Sequence, residues 1–499
     1  MNFFNAMETK LNDRKSITTN GAIAYETSGK KLLDFNFGIS AMRNMDQGAI
    51  YDKFMEVFLE DKKTAIEYLF YIGDIRGGLG ERKVFRAGLQ YLIDNNSEIA
   101  EAVAKIIPYY NRWDSVLLML DDKKTRDKAV KIIRSQIKED IANMKKGKLV
   151  SLCAKWLPSS NASSKITRKR ANILCEELEL LPTIYRQTLS KLRKYIDVTE
   201  TKMSSNRWSE INYELVPSKA NLIYSNAFMR HDGERRREYL ESLKHGDVKI
   251  NASTLNPHEI CTKYRINGCK EDPTLEALWE ALPNLTVDNV LIVRDGSGSM
   301  TWSPGIVNSS PLDVATALAI YMSEHNTGEW KDKYITFSSQ PKIVNLSNCD
   351  SLAEKVRYSL HESDCSNTDI YRTMRLVLDT AIDNDIAQED MPKMVVICSD
   401  MQFDGRRHNL NQTLFDGIKR EFEAVGYKLP RICFWNLDGR LSNTIPMQQN
   451  DLGLILCSGF SVQILKMFMS NQTDPYNVLL ETLHSERYDK VRKAIDELI

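Results

Sequence analysis

The sequence predicts two fold classes in one chain: an α-solenoid of helical repeats, followed by a doubly wound, Rossmann-like α/β domain. Three observations carry this. From about residue 50 to residue 285, apolar residues recur at helical spacing. Near Pro283 the texture changes to short apolar runs alternating with helical patterns. At 499 residues the chain is long enough for two or more domains. The expected division is a helical domain over residues 1–285 and an α/β domain over residues 286–499.

In the first part, Tyr51–Glu60, Val84–Ile93 and Ala171–Leu180 each place apolar residues on one helical face. Breakers such as Gly77-Gly78-Leu79-Gly80 and Pro108 separate the segments. Helices of similar length with short connections suggest stacked hairpins, although no sequence period is visible. In the second part, Val290–Val293, Tyr334–Phe337, Lys342–Leu346, Met394–Ile397, Arg431–Trp435 and Leu452–Leu456 read as buried strands. Pro311–His325, Asp369–Ile382 and Thr413–Val425 read as the helices between them, and Pro475–Ile499 as one closing amphipathic helix.

Composition narrows the function classes. No apolar run approaches the roughly 18 residues of a membrane helix. The start, Met1-Asn-Phe-Phe-Asn-Ala-Met-Glu-Thr-Lys, lacks the basic and apolar regions of a secretory signal. Nine scattered cysteines without a CxxC pair fit reduced thiols in a cytosolic protein and disfavour a zinc site. The net charge of zero hides an asymmetry. Residues 145–237 hold 19 Lys+Arg against 9 Asp+Glu, whereas residues 286–499 hold 21 against 29. Such a basic field fits a nucleic-acid footprint; solvated helix faces are the plainer account from charge alone. Candidate phosphate contacts are Lys155, Lys165, Arg168, Lys169, Arg170, Lys219 and Arg230.

The chemistry concentrates in Asp295-Gly-Ser297-Gly-Ser299, which follows the strand Val290–Val293. Asp-x-Ser-x-Ser at the carboxyl end of a strand gathers one carboxylate and two hydroxyls around a point. Oxygen ligands with few charges suit a hard divalent cation, Mg²⁺ above all. Two later loops would complete the shell: Ser366-Asn-Thr368-Asp369 and Ser399-Asp400. In doubly wound sheets ligands sit at the carboxyl ends of strands, where Asp295 and Asp400 both stand. Ser297 and Ser299 are expected to bind directly, Thr368 directly or through water, and Asp295 and Asp400 largely through waters. Each part has a plain alternative: Asx and Ser turns for the first loop, a helix cap for the Thr368 loop.

Catalytic readings fit less well, and the chain is read as non-enzymatic. A phosphoryl-accepting aspartate loop wants a second acid where Ser297 stands. A Gly-x-Ser-x-Gly elbow fails, because its first glycine is replaced by Asp295 or Ser297. Gly77–Gly80 lacks the Gly-Lys-Ser/Thr ending of a phosphate loop. The seven histidines form no HExxH, and His408 reads as a lone surface histidine.

Taken together, Asp295, Ser297, Ser299, Thr368 and Asp400 match position by position the metal-ion-dependent adhesion site of von Willebrand A domains, which residues 286–499 resemble. Ser399-Asp400-Met-Gln-Phe-Asp404 is similar to the corresponding loop of cytosolic members. The first half carries further blocks: Asn20–Tyr25, Asp74–Arg82, Asn111–Asp114, Ala154–Pro158 and Trp208–Ser218. They are similar to an uncharacterised cytosolic family, DUF2828, with a helical domain joined to an A domain. That family in turn resembles the Ro ribonucleoprotein, whose TROVE module is a ring of HEAT-like hairpins that binds RNA. The resemblance implies HEAT/TROVE-like repeats, a bound Mg²⁺, an RNA partner and no membrane. The alternative partner is a protein that supplies an acidic residue to the cation. Within the blocks, Trp113, Trp156 and Trp208 read as core anchors before base-stacking platforms. Arg76 and Arg82 are expected to pair with Asp74 and Glu81 across a turn.

Overall fold

The computed structural model describes residues 15–301, 309–338, 340–362, 369–403, 414–438, 445–446 and 453–499. It is mostly helical, with a mixed, mainly parallel sheet in the C-terminal part. The chain divides into two compact units, each made of two stretches. One comprises Met1–Asp46 and Leu255–Thr482; the other comprises Gln47–Thr254 and Leu483–Ile499. These bounds differ from a single cut at residue 285.

The sheet unit begins with a small antiparallel hairpin, β1 (Lys15–Ile17) and β2 (Ile23–Tyr25). Its main sheet is built from β3 (Val290–Asp295), β4 (Lys333–Phe337), β5 (Ile343–Asn345), β6 (Met394–Ser399), β7 (Arg431–Asn436) and β8 (Leu454–Ser458). The order is β5-β4-β3-β6-β7-β8, with only β5 antiparallel to its neighbour. Every residue of β3, β6 and β8 is buried. Unbroken Val/Ile/Leu runs are what a parallel sheet covered on both faces requires. The helix Pro311–Glu324 packs against β3, β4 and β6. Its sequence, PLDVATALAIYMSE, is apolar around most of its circumference because Pro257–Ile266 and Leu352–His361 pack on it as well. Its N-terminus is closed by a capping box between Ser310 and Asp313, and Arg265 Nε donates to Asp313 Oδ1 at 2.6 Å.

Two helices expected to belong with the helical domain, Pro257–Ile266 and Pro273–Glu280, thus lie in the sheet unit. So does the N-terminal stretch. Tyr25 and Ile445 exchange backbone hydrogen bonds at 2.7 and 2.8 Å. Asn36 donates to the Leu456 carbonyl at 3.2 Å, and Ser40 Oγ to the Asn436 carbonyl at 3.1 Å.

In the helical unit, Gln47–Glu60, Lys62–Gly73 and Arg82–Asn95 pack on one another. The expected closing helix is absent as a single element. Pro475–Leu483 ends where the sheet unit ends, and a short 3-10 turn, Glu486–Tyr488, leads into the helix Asp489–Ile495. This last piece belongs to the helical unit. Arg487 holds the buried Asp74 with both Nε and Nη2, the latter at 2.7 Å, and Arg492 Nη1 meets Glu67 Oε2 at 2.9 Å. Tyr488 stacks on Tyr110 with ring centroids 5.6 Å apart and meets Tyr71 edge-on at 6.1 Å. A second cluster forms around Ile211, Tyr213, Val216 and Phe228. There the buried Arg236 guanidinium sits among the rings of Tyr213, Phe228 and Tyr239, at 4.8, 5.4 and 5.2 Å.

The glycine-rich turn is a packing device. A Cβ on Gly78 would lie 2.0 Å from the Tyr71 carbonyl oxygen, and Gly80 adopts φ +69°. We expect Gly78→Ala to destabilise the unit by about 1–3 kcal/mol, by forcing backbone apart. Urea unfolding measures this, and a wild-type midpoint would contradict it. Among the described residues no helix is long and apolar enough to cross a membrane.

Candidate functional site: a carboxylate and hydroxyl cluster and a basic helical surface

β3 and β6 are parallel neighbours in register, with Val290 opposite Met394 and Arg294 opposite Cys398. Both strands therefore deliver their last residues to the same edge, and Asp295 comes beside Ser399 and Asp400. Asp295 is fully buried. Its Oδ1 accepts from the Ser297 amide at 2.8 Å and its Oδ2 from Ser399 Oγ at 2.5 Å. Ser297 Oγ lies 3.1 Å from Ser299 Oγ. Asp400 is 1% exposed, and its Oδ1 accepts from the Gln402 amide at 3.3 Å.

Two carboxyl groups thus share a buried edge. Burial, and next the charge of Asp400, push the Asp295 pKa up to about 6, against hydrogen bonds from Ser399 and Ser297 that lower it. Arg294 does not offset them. Alternation along β3 turns its guanidinium toward Thr316 Oγ1 at 3.1 Å, the Glu362 carbonyl at 3.3 Å and the Tyr334 ring. The donor set (two carboxylates and two facing hydroxyls) fits a hard divalent cation. Among the described residues no three His, Cys, Asp or Glu side chains converge.

Asp295, Ser297, Ser299 and Asp400 are thus brought together. Thr368 lies outside the described residues, as do His408 and Asp404. The cap of the helix Ile370–Asp383 is Asp369, whose side chain accepts from the Arg372 amide at 2.9 Å. Sequence reading gave Ser399 no role beyond its place before Asp400. It also missed the clamp on the Asp400 loop. Thr18 Oγ1 donates to the Phe403 carbonyl at 2.7 Å, the Thr19 amide to Gln402 Oε1 at 2.8 Å, and Asn20 Nδ2 to the Gln402 carbonyl at 2.7 Å. The loop needs holding, because Met401 has φ +62°, a left-handed conformation costly for a side chain with a Cβ.

The helical unit carries 41 Lys+Arg against 32 Asp+Glu, and the sheet unit 26 against 35. Between Ile141 and Cys175 there are eight basic residues and no acidic one. Lys165 and Lys169 stand one turn apart and exposed on the helix Lys165–Glu177, and Arg230 is exposed at the end of Ser218–His231. None of these three makes an ion pair among the described residues. Lys219 is also exposed. The other candidates have structural partners. Arg170 forks onto Asp121, Arg168 Nη1 donates to the Ala162 and Ser163 carbonyls at 2.8 Å, and Lys155 lies 3.7 Å from Glu200.

The expected turn pairs form differently. Asp74 pairs with Arg487 and accepts only the backbone amide of Arg76, and Arg82 pairs with Asp114. The cause is reach: the turn sends Asp74 inward and Arg82 onto the next helix. Trp113 is buried. Trp156 and Trp208 are half-buried, the first under the Arg112 guanidinium at 3.9 Å and the second stacked on His231 at 4.4 Å.

Comparison with known proteins places two family models on the chain. Residues 289–497 match DUF7788 and residues 176–282 match DUF2828, both described as domains of unknown function. Uncharacterized protein L728 of Acanthamoeba polyphaga mimivirus is 29% identical over 508 residues, covering 94% of this chain and 87% of that one. The crystal structure of the Deinococcus radiodurans Ro (RSR) protein aligns at 12% identity with a TM-score of 0.39, covering 90% of this chain and 93% of that one. The family that the sequence blocks resemble is thus the family whose model matches the helical segment, DUF2828.

Proposed function

We propose that this chain is a non-enzymatic, cytosolic RNA-binding protein of Ro type, whose helical unit carries the RNA and whose sheet unit is a von Willebrand A domain holding Mg²⁺. The observation that supports RNA most is the acid-free stretch from Ile141 to Cys175, with Lys165 and Lys169 exposed and unpaired among the described residues. A run of cations without internal counter-charges suits a polyanion. In the A domain, Ser297 and Ser299 would bind the cation directly, Asp295 and Asp400 largely through waters, and Thr368 directly or through water.

A filter-binding salt titration tests the reading. Affinity for an oligouridylate should fall with a log–log slope of roughly −0.7 per phosphate contact. Absence of binding at low salt to both structured and single-stranded RNA would sink it.

A second reading is favoured by the Asp295 cluster. Its cation would capture a carboxylate of a protein partner, and the helices would be scaffold. Asp295→Ala with Ser297→Ala would then abolish Mg²⁺-dependent capture of that partner and leave RNA affinity unchanged.

A further inference from the structure

Three sequence blocks far apart in the chain converge within the helical unit. Arg82 and Arg86 stand one turn apart on Arg82–Asn95. Arg112 and Asp114 open the helix Trp113–Val116, Trp156 ends Cys153–Trp156, and Arg170 lies on Lys165–Glu177. Asn111 fixes the middle block. Its Nδ2 donates to the Gly73 carbonyl at 3.1 Å, and its Oδ1 accepts from the Arg112 amide at 2.8 Å and Ser115 Oγ at 3.0 Å.

The charges at this point do not balance. Arg82 and Arg112 both hydrogen-bond Asp114, Arg112 at 2.9 and 3.2 Å. Arg170 uses Asp121. Arg86 has the same Asp114 carboxylate at 3.9 Å, beyond hydrogen-bond reach, although its side chain is only 24% exposed. Among the described residues its guanidinium makes no hydrogen bond. Four guanidinium groups therefore face two carboxylates. Burial, and next the charge of Arg82, lower the Arg86 pKa. A purely structural role, tying helices together through Asp114, accounts for Arg82 and Arg112. It accounts poorly for Arg86, which among the described residues has only the long contact with Asp114, makes no hydrogen bond and faces three like charges.

We propose that Arg82, Arg86, Arg112 and Arg170 form a binding site for a phosphate group, supplied by an RNA backbone or by a free phosphate compound. Guanidinium forks match phosphate oxygens in pairs, and partial burial strengthens each contact. In its RNA form the site rests on the function proposed above; in its free-phosphate form it does not.

The test uses the full chain and the variant Arg86→Gln. Thermal midpoints are compared in inorganic phosphate and in chloride at matched ionic strength, and binding of a labelled oligouridylate is followed by anisotropy. Phosphate should raise the wild-type midpoint and leave that of R86Q unmoved. In chloride R86Q should unfold close to wild type, because relieved repulsion offsets the lost Asp114 contact and the shortened side-chain stem. A loss of oligouridylate affinity in R86Q of about tenfold or more assigns the site to RNA, with or without a response to free phosphate. A lost phosphate response with unchanged oligouridylate affinity assigns it to a free phosphate compound. Equal phosphate responses in both proteins, or no response together with equal oligouridylate binding, would overturn the site whether or not RNA binds elsewhere.

Discussion

Replacing Arg487 by alanine is expected to lower the stability of the helical unit by about 3–5 kcal/mol, the cost of stranding one member of a buried ion pair. Asp74 is 1% exposed and accepts from Arg487 Nη2, from Arg487 Nε, from Tyr488 Oη at 3.3 Å and from the Arg76 amide at 3.0 Å. The same pair, chiefly through its hydrogen bond, raises the Arg487 pKa. Without the guanidinium a carboxylate remains among the rings of Tyr71, Tyr110 and Tyr488. Lysine should restore only part of the loss, because it cannot present a fork. The double variant Asp74→Asn with Arg487→Gln should cost less than Arg487→Ala, since no charge is left buried. Amide hydrogen exchange across Lys62–Asn95, read against denaturant, measures the effect. Unchanged protection in Arg487→Ala would show that the pair contributes nothing.

The second large effect concerns Asp295. Its pKa in the folded chain is about 6. That is above the unfolded value of about 3.9, so the native state holds the extra proton between the two. The favourable contribution is therefore complete below the unfolded value and lost as pH rises through the folded one. At neutral pH without a cation, the ionised form costs on the order of 3 kcal/mol, at about 1.4 kcal/mol per unit. A divalent cation at the cluster removes that cost and competes with the proton. Mg²⁺ should raise the unfolding midpoint clearly at neutral pH and little below about pH 5. Asp295→Asn should be more stable than wild type in chelator at neutral pH and indifferent to Mg²⁺. A Mg²⁺ shift of equal size at both pH values, or one retained in Asp295→Asn, would remove the cation from this site.

The strands were legible because their signal is local. Val290–Val293 and Met394–Ile397 are unbroken β-branched or apolar runs, and both became buried parallel strands. Their pairing then explains why Asp295 and Asp400, 105 positions apart in the numbering, could be read as one cluster. The clamp from Thr18–Asn20 was not legible, because contacts between residues 383 apart leave no periodicity. The same reason hid the unit boundaries. Pro257–Ile266 has the helical spacing of the segments before it, and spacing does not reveal which neighbour a helix packs against. At the C-terminus the apolar pattern runs through Ser485, yet the chain turns there, because Arg487 and Tyr488 must reach Asp74.

The interleaved order of the two units also governs synthesis. The sheet unit receives its first 46 residues early, then waits through Gln47–Thr254 before its own strands emerge. The helical unit has most of its helices by Thr254, but Arg487 and Arg492 arrive only after the whole sheet unit has been made. Until then Glu67 and Asp74 have no cation from that last segment. The helical unit cannot be finished before the whole sheet unit has been made. A chain truncated after Thr482 would therefore hold a complete sheet unit and an open helical unit, a state that invites chaperone capture.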